Sequence, residues 1–336
     1  MAGGMGTRLR SITGDTPKPM VPLLGRPMME HIIILLREQG FTDICAAVRY
    51  RAGDIMGYFG DGSRFGVRLQ YRVEDLALGT AGGVKNCLDF YGDEDFLVIS
   101  GDAVCDFELR SLMDAHLIRG ADATIALYRS REPLRYGLAV TDHDGLVRSF
   151  IEKPDWRRVV TDLVNTGIYV LSPRVMELVP DSAEYDFGKQ LFPQLLESGR
   201  TVLGVPMDGY WCDVGTPLSY YRCCVDALEG RLRLDLPEQF RPGSAPEAED
   251  APDDADCTEE CPCESRAELM GALSELMLDM GADYSDGLRL RTERYSLHIR
   301  PCAGRSAVRI GVCADDAEFA KELALSAKAL AQALKL

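Results

Sequence analysis

The chain has 336 residues, 46% of them apolar, with a formal net charge of −16. This length suits two domains, each able to bury its own core, and an apolar share of that size excludes gross disorder. The acidic balance, with no basic stripe to offset it, excludes a nucleic-acid partner gripped through its phosphates. The opening residues show no apolar run of signal-peptide length and no stretch reaches membrane-spanning length, so the expectation is a cytoplasmic protein with no membrane partner.

The first pattern in the chain is "AGGMGTRLRSITGDTPKP". Glycines in a turn most simply permit positive φ. Gly3, Gly4 and Gly6 would also let backbone N–H groups approach a polyphosphate, with Arg8 offering a planar charged fork and Lys18 a point charge. No GxxxxGK[ST] is present, so this is not a Walker loop. From "HIIILLREQG" onward, helical apolar periodicity alternates with short apolar runs, "ICAAV", "RLQYR", "FLVIS", "ATIALY", "GIYVL" and "VLGVP". That alternation predicts an α/β layered fold with a largely parallel sheet, reaching to about residue 232.

Within it, Asp102 in "ISGD" comes just past an apolar run, where open α/β sheets put their ligand crevice, although a turn aspartate is the commoner fate of an isolated "GD". In "SFIEKPDW", Glu152 and Lys153 are either a surface pair or a site, and Pro154 predicts an extended Lys153. "LVNTGIYVL" places the polar step Asn165, Thr166, Gly167 ahead of an apolar run, as a strand-entry turn would. "GYWCDVGTP" sets Asp213 between bulky residues and a turn, where a cap or turn role is the plainer alternative. Asp102 and Asp213 together suit one Mg²⁺, which favours one or two carboxylates plus substrate phosphate oxygens.

Between Pro242 and Ser265 the chain has no lysine or arginine and is rich in Pro, Ala and acid, which predicts an extended linker over 233–262. A small α+β domain is expected over 263–336. Its signals are helical spacing in "AELMGALSELMLDM", alternation at Leu288/Leu290, Tyr295/Leu297/Ile299 and Val308/Ile310/Val312, and a closing helix in "AEFAKELALSAKALAQAL". The eleven cysteines are scattered and mostly inside apolar stretches, as buried thiols would be; Cys257, Cys261 and Cys263 lie close together but have no fourth ligand at structural-zinc spacing.

The ordered series GGxGTRL, PKP, "ALGTAGGV", "ISGD", "EKP", "NTGIYVL", "YDFGKQLFPQLL" and "GYWCDVGTP" resembles the sugar-1-phosphate nucleotidyltransferases over roughly residues 1 to 230. "EKPDWRRVVTDLVNTGIYVLSP" and the motifs after it look most like the mannose-1-phosphate guanylyltransferases, particularly bacterial ones joined to a phosphomannomutase-like region. The tail is similar to the last domain of phosphohexomutases, but "RPCAGRSAV" stands where that family has RPSGTEP, and its phosphoserine and metal domains are absent. The resemblance therefore implies no mutase activity, and a tail that serves packing, oligomerisation or regulation.

The resemblance implies a Rossmann-like doubly wound mixed sheet and transfer of a nucleotidyl group from an NTP to a sugar 1-phosphate, GTP and mannose 1-phosphate first among the pairs. By motif, Gly3, Gly4, Gly6 and Thr7 would cradle the triphosphate, Arg8 and Lys18 would offset its charge, and Glu74, Gly79 and Thr80 would line the base and ribose side. Asp102 and Asp213 would hold Mg²⁺, Lys153 would grip the sugar phosphate, and Glu152, Asn165, Gly167 and the Gly137 backbone would read the sugar. Glucose 1-phosphate with UTP or dTTP is an alternative, as is a non-catalytic regulatory protein that binds nucleotide sugars. The family also begins with an apolar strand ahead of the glycine loop, where this chain has two residues, Met1 and Ala2. Losing roughly four buried side chains at about 1.5–3 kcal/mol each is a deficit on the order of 6–12 kcal/mol, against a typical domain stability of roughly 5–15 kcal/mol. The expectation drawn from it is that Met1 is an internal methionine.

Overall fold

The computed structural model describes residues 1–4, 9, 15–181, 183–228, 230–236, 257–262, 273, 288–291, 295–301 and 307–333. Gly6, Thr7 and Arg8, the acidic stretch over 237–256, Cys263 and almost all of the helix expected over "AELMGALSELMLDM" lie outside the described residues. Two compact units are present, one mainly Pro27–Asp213 with Thr16–Val21, the other mainly Val214–Leu336 with Pro22–Arg26.

In the first unit, α1 (Met28–Glu38) begins directly after Pro27, whose fixed φ suits a helix entry, and buries Met28, Met29, Ile32, Ile33 and Leu36 at helical spacing. It leads into β1 (Asp43–Val48), helix α2 (Ala52–Phe59) and β2 (Arg68–Val73); β1 and β2 pair in parallel from Asp43↔Arg68 to Val48↔Val73. Helices α3 (Gly79–Lys85) and α4 (Leu88–Tyr91) precede β3 (Phe96–Ile99), the short β4 (Ala103–Cys105) and helix α5 (Leu109–Arg119). The remaining strands are β5 (Ala123–Arg129), β6 (Leu138–Thr141), β7 (Val147–Ile151), β8 (Leu163–Leu171), β9 (Val202–Pro206) and β10 (Trp211–Asp213), with helix α6 (Phe192–Glu197) between β8 and β9.

The larger sheet has six strands in the order β9-β5-β8-β6-β7, with β3 also on β8. All six expected apolar runs are strands, but their directions correct the expectation of a largely parallel sheet. In the six-stranded sheet β8 is antiparallel to β3, β5 and β6, and only β9 and β5 pair there in parallel. Apolar periodicity measures burial and carries no sign of strand direction, so a mixed sheet and a parallel one read alike. A second correction concerns Asn165, Thr166 and Gly167, which lie inside β8 at a register shift between Asn165 and Tyr169. Gly167 takes φ +77° there, and Thr166 donates to the Ala126 carbonyl at 2.7 Å, so the polar step is a bulge that stays paired.

Met1 and Ala2 lie between the β1 and β3 edges. The Met1 amine donates to the Ile99 carbonyl (2.9 Å) and Gly101 N–H to the Met1 carbonyl (2.7 Å), a parallel pattern on the β3 side, while Ala2 N–H donates to the Ala47 carbonyl of β1 (2.8 Å). Next to these two residues the edges border a groove of about 530 Å³ whose lining includes Ile44, Cys45, Leu97 and Ile99. These four are only partly buried, unlike Val48 and Val170 deeper in the sheets.

In the second unit, β11 (Cys257–Pro262), β12 (Leu288–Arg291), β13 (Tyr295–Pro301) and β14 (Ala307–Ala314) form an antiparallel sheet in the order β11-β14-β13-β12. β11 falls within the stretch read as linker: its Cys261 is fully buried and opposite Val308. Helix α7 (Pro217–Leu228) belongs to this unit, and the closing helix α8 (Ala317–Ala333) packs on the sheet, Lys328 pairing with Glu259 at 2.6 Å. The nine described cysteines are all free thiols. No helix among the described residues is long and apolar enough to cross a membrane.

Candidate active site

Three acidic and basic side chains meet where three distant segments converge. Asp102 lies in the turn between β3 and β4, and Asp213 ends β10, whose antiparallel pairing sets it opposite Ala103. Lys18 enters from a 3₁₀ turn over Lys18–Met20, between Pro17 and Pro19. Its ammonium is 2.9 Å from Asp102 Oδ2 and 3.2 Å from Asp213 Oδ1. Ser100 donates its hydroxyl to the second Asp102 oxygen, Oδ1.

Burial dominates the electrostatics here and is outweighed. It pushes the Lys18 ammonium toward the neutral form, yet the two carboxylates more than compensate and hold its pKa above the ordinary lysine value. For Asp102 burial acts upward, while the Lys18 charge and the Ser100 and Lys18 hydrogen bonds bring the carboxyl below the usual aspartate value. Lys18 is 7% exposed at its side chain, against 39% for Asp102 and 25% for Asp213, so the cation is the enclosed member and the carboxylates open outward. Two carboxylates bridged by one ammonium form a donor set that suits a divalent cation, since the ammonium already occupies a cation position between them. Asp142, His143 and Asp144 also bring ligand atoms within 4.8 Å of one another, but on an exposed turn where Arg148 already bonds Asp142 at 2.8 Å.

Beside the triangle opens a cavity of about 260 Å³ lined by Gly3, Gly4, Lys18, Glu74, Gly79, Thr80 and Asp102. Gly79 takes φ +72° at the start of α3, and a Cβ on it would lie 2.7 Å from the Tyr185 carbonyl oxygen. That carbonyl accepts from Ala81 and Gly82 N–H (2.8 and 3.0 Å), clamping the helix start against the 185–187 segment. Thr80 is held by Asp186 Oδ1, which accepts from its hydroxyl (3.0 Å) and its N–H (3.3 Å). Glu74 is half-buried; burial raises its carboxyl above the usual glutamate value against the pull of the Leu78 N–H and Arg49.

The residues expected to read the sugar gather around β6, β7 and β8 instead, and are not in the lining of this cavity. Asn165 N–H donates to the Gly137 carbonyl (2.8 Å), and its side chain donates to the Tyr169 hydroxyl (3.0 Å). A Cβ on Gly137 would lie 2.7 Å from Phe150 Cζ and 2.8 Å from Glu152 Oε2, so a larger residue there would push both side chains aside. Glu152, half-buried, is raised by burial, with Lys153 and Lys189 opposing. Gly167 ties this group to the triangle, because its carbonyl accepts the Ser100 N–H at 3.0 Å. Lys153 corrects the sequence reading: it is exposed and takes φ +40°, not an extended conformation. A following proline excludes the right-handed helical region for steric reasons, and the chain resolves this with a left-handed residue that costs on the order of 1–3 kcal/mol.

Sequence reasoning missed Arg49, Ser100 and Asp186, all lining the cavity. Arg49 could have been found, since it directly follows the apolar run of β1 at the strand end where sheet crevices open. Asp186 had no local signal, because its role comes from a contact with Thr80, 106 positions away.

The sequence profile of the family described as "Nucleotidyl transferase" matches residues 1–230. A UTP--glucose-1-phosphate uridylyltransferase of Synechocystis sp. is 39% identical over 72% of the chain and 66% of its own length. A mannose-1-phosphate guanylyltransferase of Mycobacterium tuberculosis is 33% identical over 68% of the chain and 64% of its own length. The chain thus spans a little under two thirds of these relatives. A crystal structure of HddC from Yersinia pseudotuberculosis, complexed with GMP-PN, superposes with a TM-score of 0.58 at 30% identity, covering 67% of the chain and 96% of HddC.

Proposed function

Because the chain belongs to the nucleotidyl transferase family, we propose that it transfers the guanylyl group of GTP to mannose 1-phosphate, forming GDP-mannose and releasing pyrophosphate. The observation that carries the transfer is the Lys18, Asp102, Asp213 triangle beside a cavity that also holds Gly3 and Gly4.

The nucleophile is a phosphate-monoester oxygen, ionised near neutrality because its second pKa is about 6. No strong general base is needed. That oxygen forms a bond to the α-phosphorus while the bond from the α-phosphorus to the bridging oxygen breaks, and the electron pair leaves with pyrophosphate. What the chain must supply is alignment and relief of repulsion between two anions. Gly3 and Gly4 leave room for backbone N–H groups to approach the triphosphate, with Lys18 and Arg49 as cations in the same cavity. Arg8 and Lys153 add charge at the two phosphates in this reading, and Glu152, Asn165 and Gly137 hold the sugar. Asp102 and Asp213 would hold Mg²⁺. When bound, that ion acts as a Lewis acid and a template for the reacting phosphates.

Glu74 favours guanine. A half-buried carboxylate accepts from both N1–H and the 2-amino group of guanine, whereas uracil and thymine present one N–H between two carbonyl oxygens that would face the negative charge. Binding of GMP-PN by HddC supports the same base. The Synechocystis relative favours a second reading, UTP with glucose 1-phosphate. Pyrophosphate release with Mg²⁺ across GTP, UTP, dTTP, ATP and CTP against both sugar phosphates decides between them. Turnover confined to GTP and mannose 1-phosphate is the expected result, and UTP with glucose 1-phosphate would replace it.

A further inference from the structure

The Lys18 ammonium stands between the same two carboxylates that the proposed reaction assigns to a divalent cation. Both cannot hold that position. Lys18 is also the most enclosed of the three groups, at 7% side-chain exposure, and it lines the cavity that contains Gly3 and Gly4.

We propose that Lys18 is a resident counter-ion for Asp102 and Asp213, leaving them only when a divalent cation arrives together with a triphosphate that receives the displaced ammonium. The inference rests on reading Asp102 and Asp213 as the cation ligands. Its logic is charge accounting in an enclosed site. Two carboxylates and one ammonium sum to one negative charge, so Lys18 already offsets half of the carboxylate charge without any ion. A free divalent cation would neutralise the carboxylates but strand the Lys18 ammonium, enclosed and without an anion, which is strongly unfavourable. A triphosphate in the adjoining cavity removes that penalty by giving the ammonium phosphate oxygens to bind. Lys18 therefore serves twice, holding the carboxylates together in the free chain and gripping phosphate in the loaded one. Free cation binds poorly, and cation and nucleotide bind cooperatively.

The test reads Mn²⁺ occupancy by electron paramagnetic resonance, with no turnover involved. In nucleotide-free protein, Lys18→Met should bind Mn²⁺ at least tenfold more tightly than the unsubstituted chain, and adding Asp213→Asn should abolish the gain. Equal affinities in the two proteins, or a gain that survives Asp213→Asn, would overturn the proposal. Should Lys18→Met fail to fold, the unsubstituted chain carries the test alone. Its Mn²⁺ binding should tighten at least tenfold when β,γ-imido-GTP is present, beyond what the analogue holds in solution, and absence of that gain overturns the proposal. The two readings fail separately. A Mn²⁺ gain without turnover on any substrate pair would sink the transfer reaction alone, and turnover with equal Mn²⁺ affinities would sink the counter-ion alone.

Discussion

Replacing Glu74 with glutamine should redirect the choice of base without disturbing the fold. The side chain lines the cavity, its backbone N–H donates to the Val48 carbonyl at 2.9 Å, and a Cβ on Gly83 would fall 2.4 Å from its Oε1, so the carboxylate is packed in place and the amide is its closest isostere. Guanine gives the carboxylate two charge-assisted hydrogen bonds, and glutamine can accept one while turning an N–H toward the 2-amino group. A hydrogen bond to a charged group is worth about 1.5–3 kcal/mol, so kcat/KM with GTP should fall roughly 10- to 150-fold. UTP should gain relative to GTP, because an amide accepts from N3–H and donates to an adjacent carbonyl. The same change has a stability signature of opposite sign. Burial holds the folded Glu74 pKa above its unfolded value of 4.5. The folded state therefore binds the proton more tightly, stability falls as pH rises through that window, and the ionised carboxylate remains a fixed cost above it. Glu74→Gln should raise the Tm of the nucleotide-free chain at pH 7 and lose that advantage below about pH 4.5. Steady-state kinetics with both nucleotides and a pH series of thermal melts read the two effects. Equal losses with GTP and UTP, or a lower Tm at pH 7, would refute the assignment of Glu74 to the base.

Gly79→Ala should destabilise by about 2–4 kcal/mol, from left-handed strain plus a backbone clash, because φ is +72° and the Tyr185 carbonyl is 2.7 Å from the new methyl. Gly57→Ala in α2, with no neighbour within 4 Å, should instead stabilise by about 0.5–1 kcal/mol; thermal melts of both variants check the contrast. Asp102, with its folded pKa below the usual 3.8, contributes stability that is present above that value and lost as pH falls through the folded one, so Asp102→Asn should flatten the acid limb of an unfolding curve. Four apolar residues added ahead of Met1 should enter the groove between β1 and β3, raise Tm, and slow alkylation of Cys45, which lines it. An extension of the same length carrying prolines should do neither, since it cannot pair with both edges.

Most of the strands and the tail were legible in the sequence because burial has a period. The six apolar runs from "ICAAV" to "VLGVP" mark β1, β2, β3, β5, β8 and β9, and the alternation at Tyr295, Leu297 and Ile299 marks β13. The charged members of the candidate site were legible by residue type at Lys18, Asp102 and Asp213, which stand out beside turns and strand ends, while Glu74 entered only through the family resemblance. Tertiary structure alone decided the rest. Strand direction in the sheet around β8 leaves no trace in apolar period, since either direction buries the same face. The left-handed turn at Lys153 reflects a choice between two conformations that a following proline leaves open. The bridging of Asp102 and Asp213 by one ammonium depends on β10 pairing with β4 in a single register, and a one-residue slip would turn Asp213 to the opposite face. Sequence fixes which groups can carry charge and which must be buried, because those are properties of single side chains. Which charges meet depends on the closing of long loops, and only the folded backbone sets those distances.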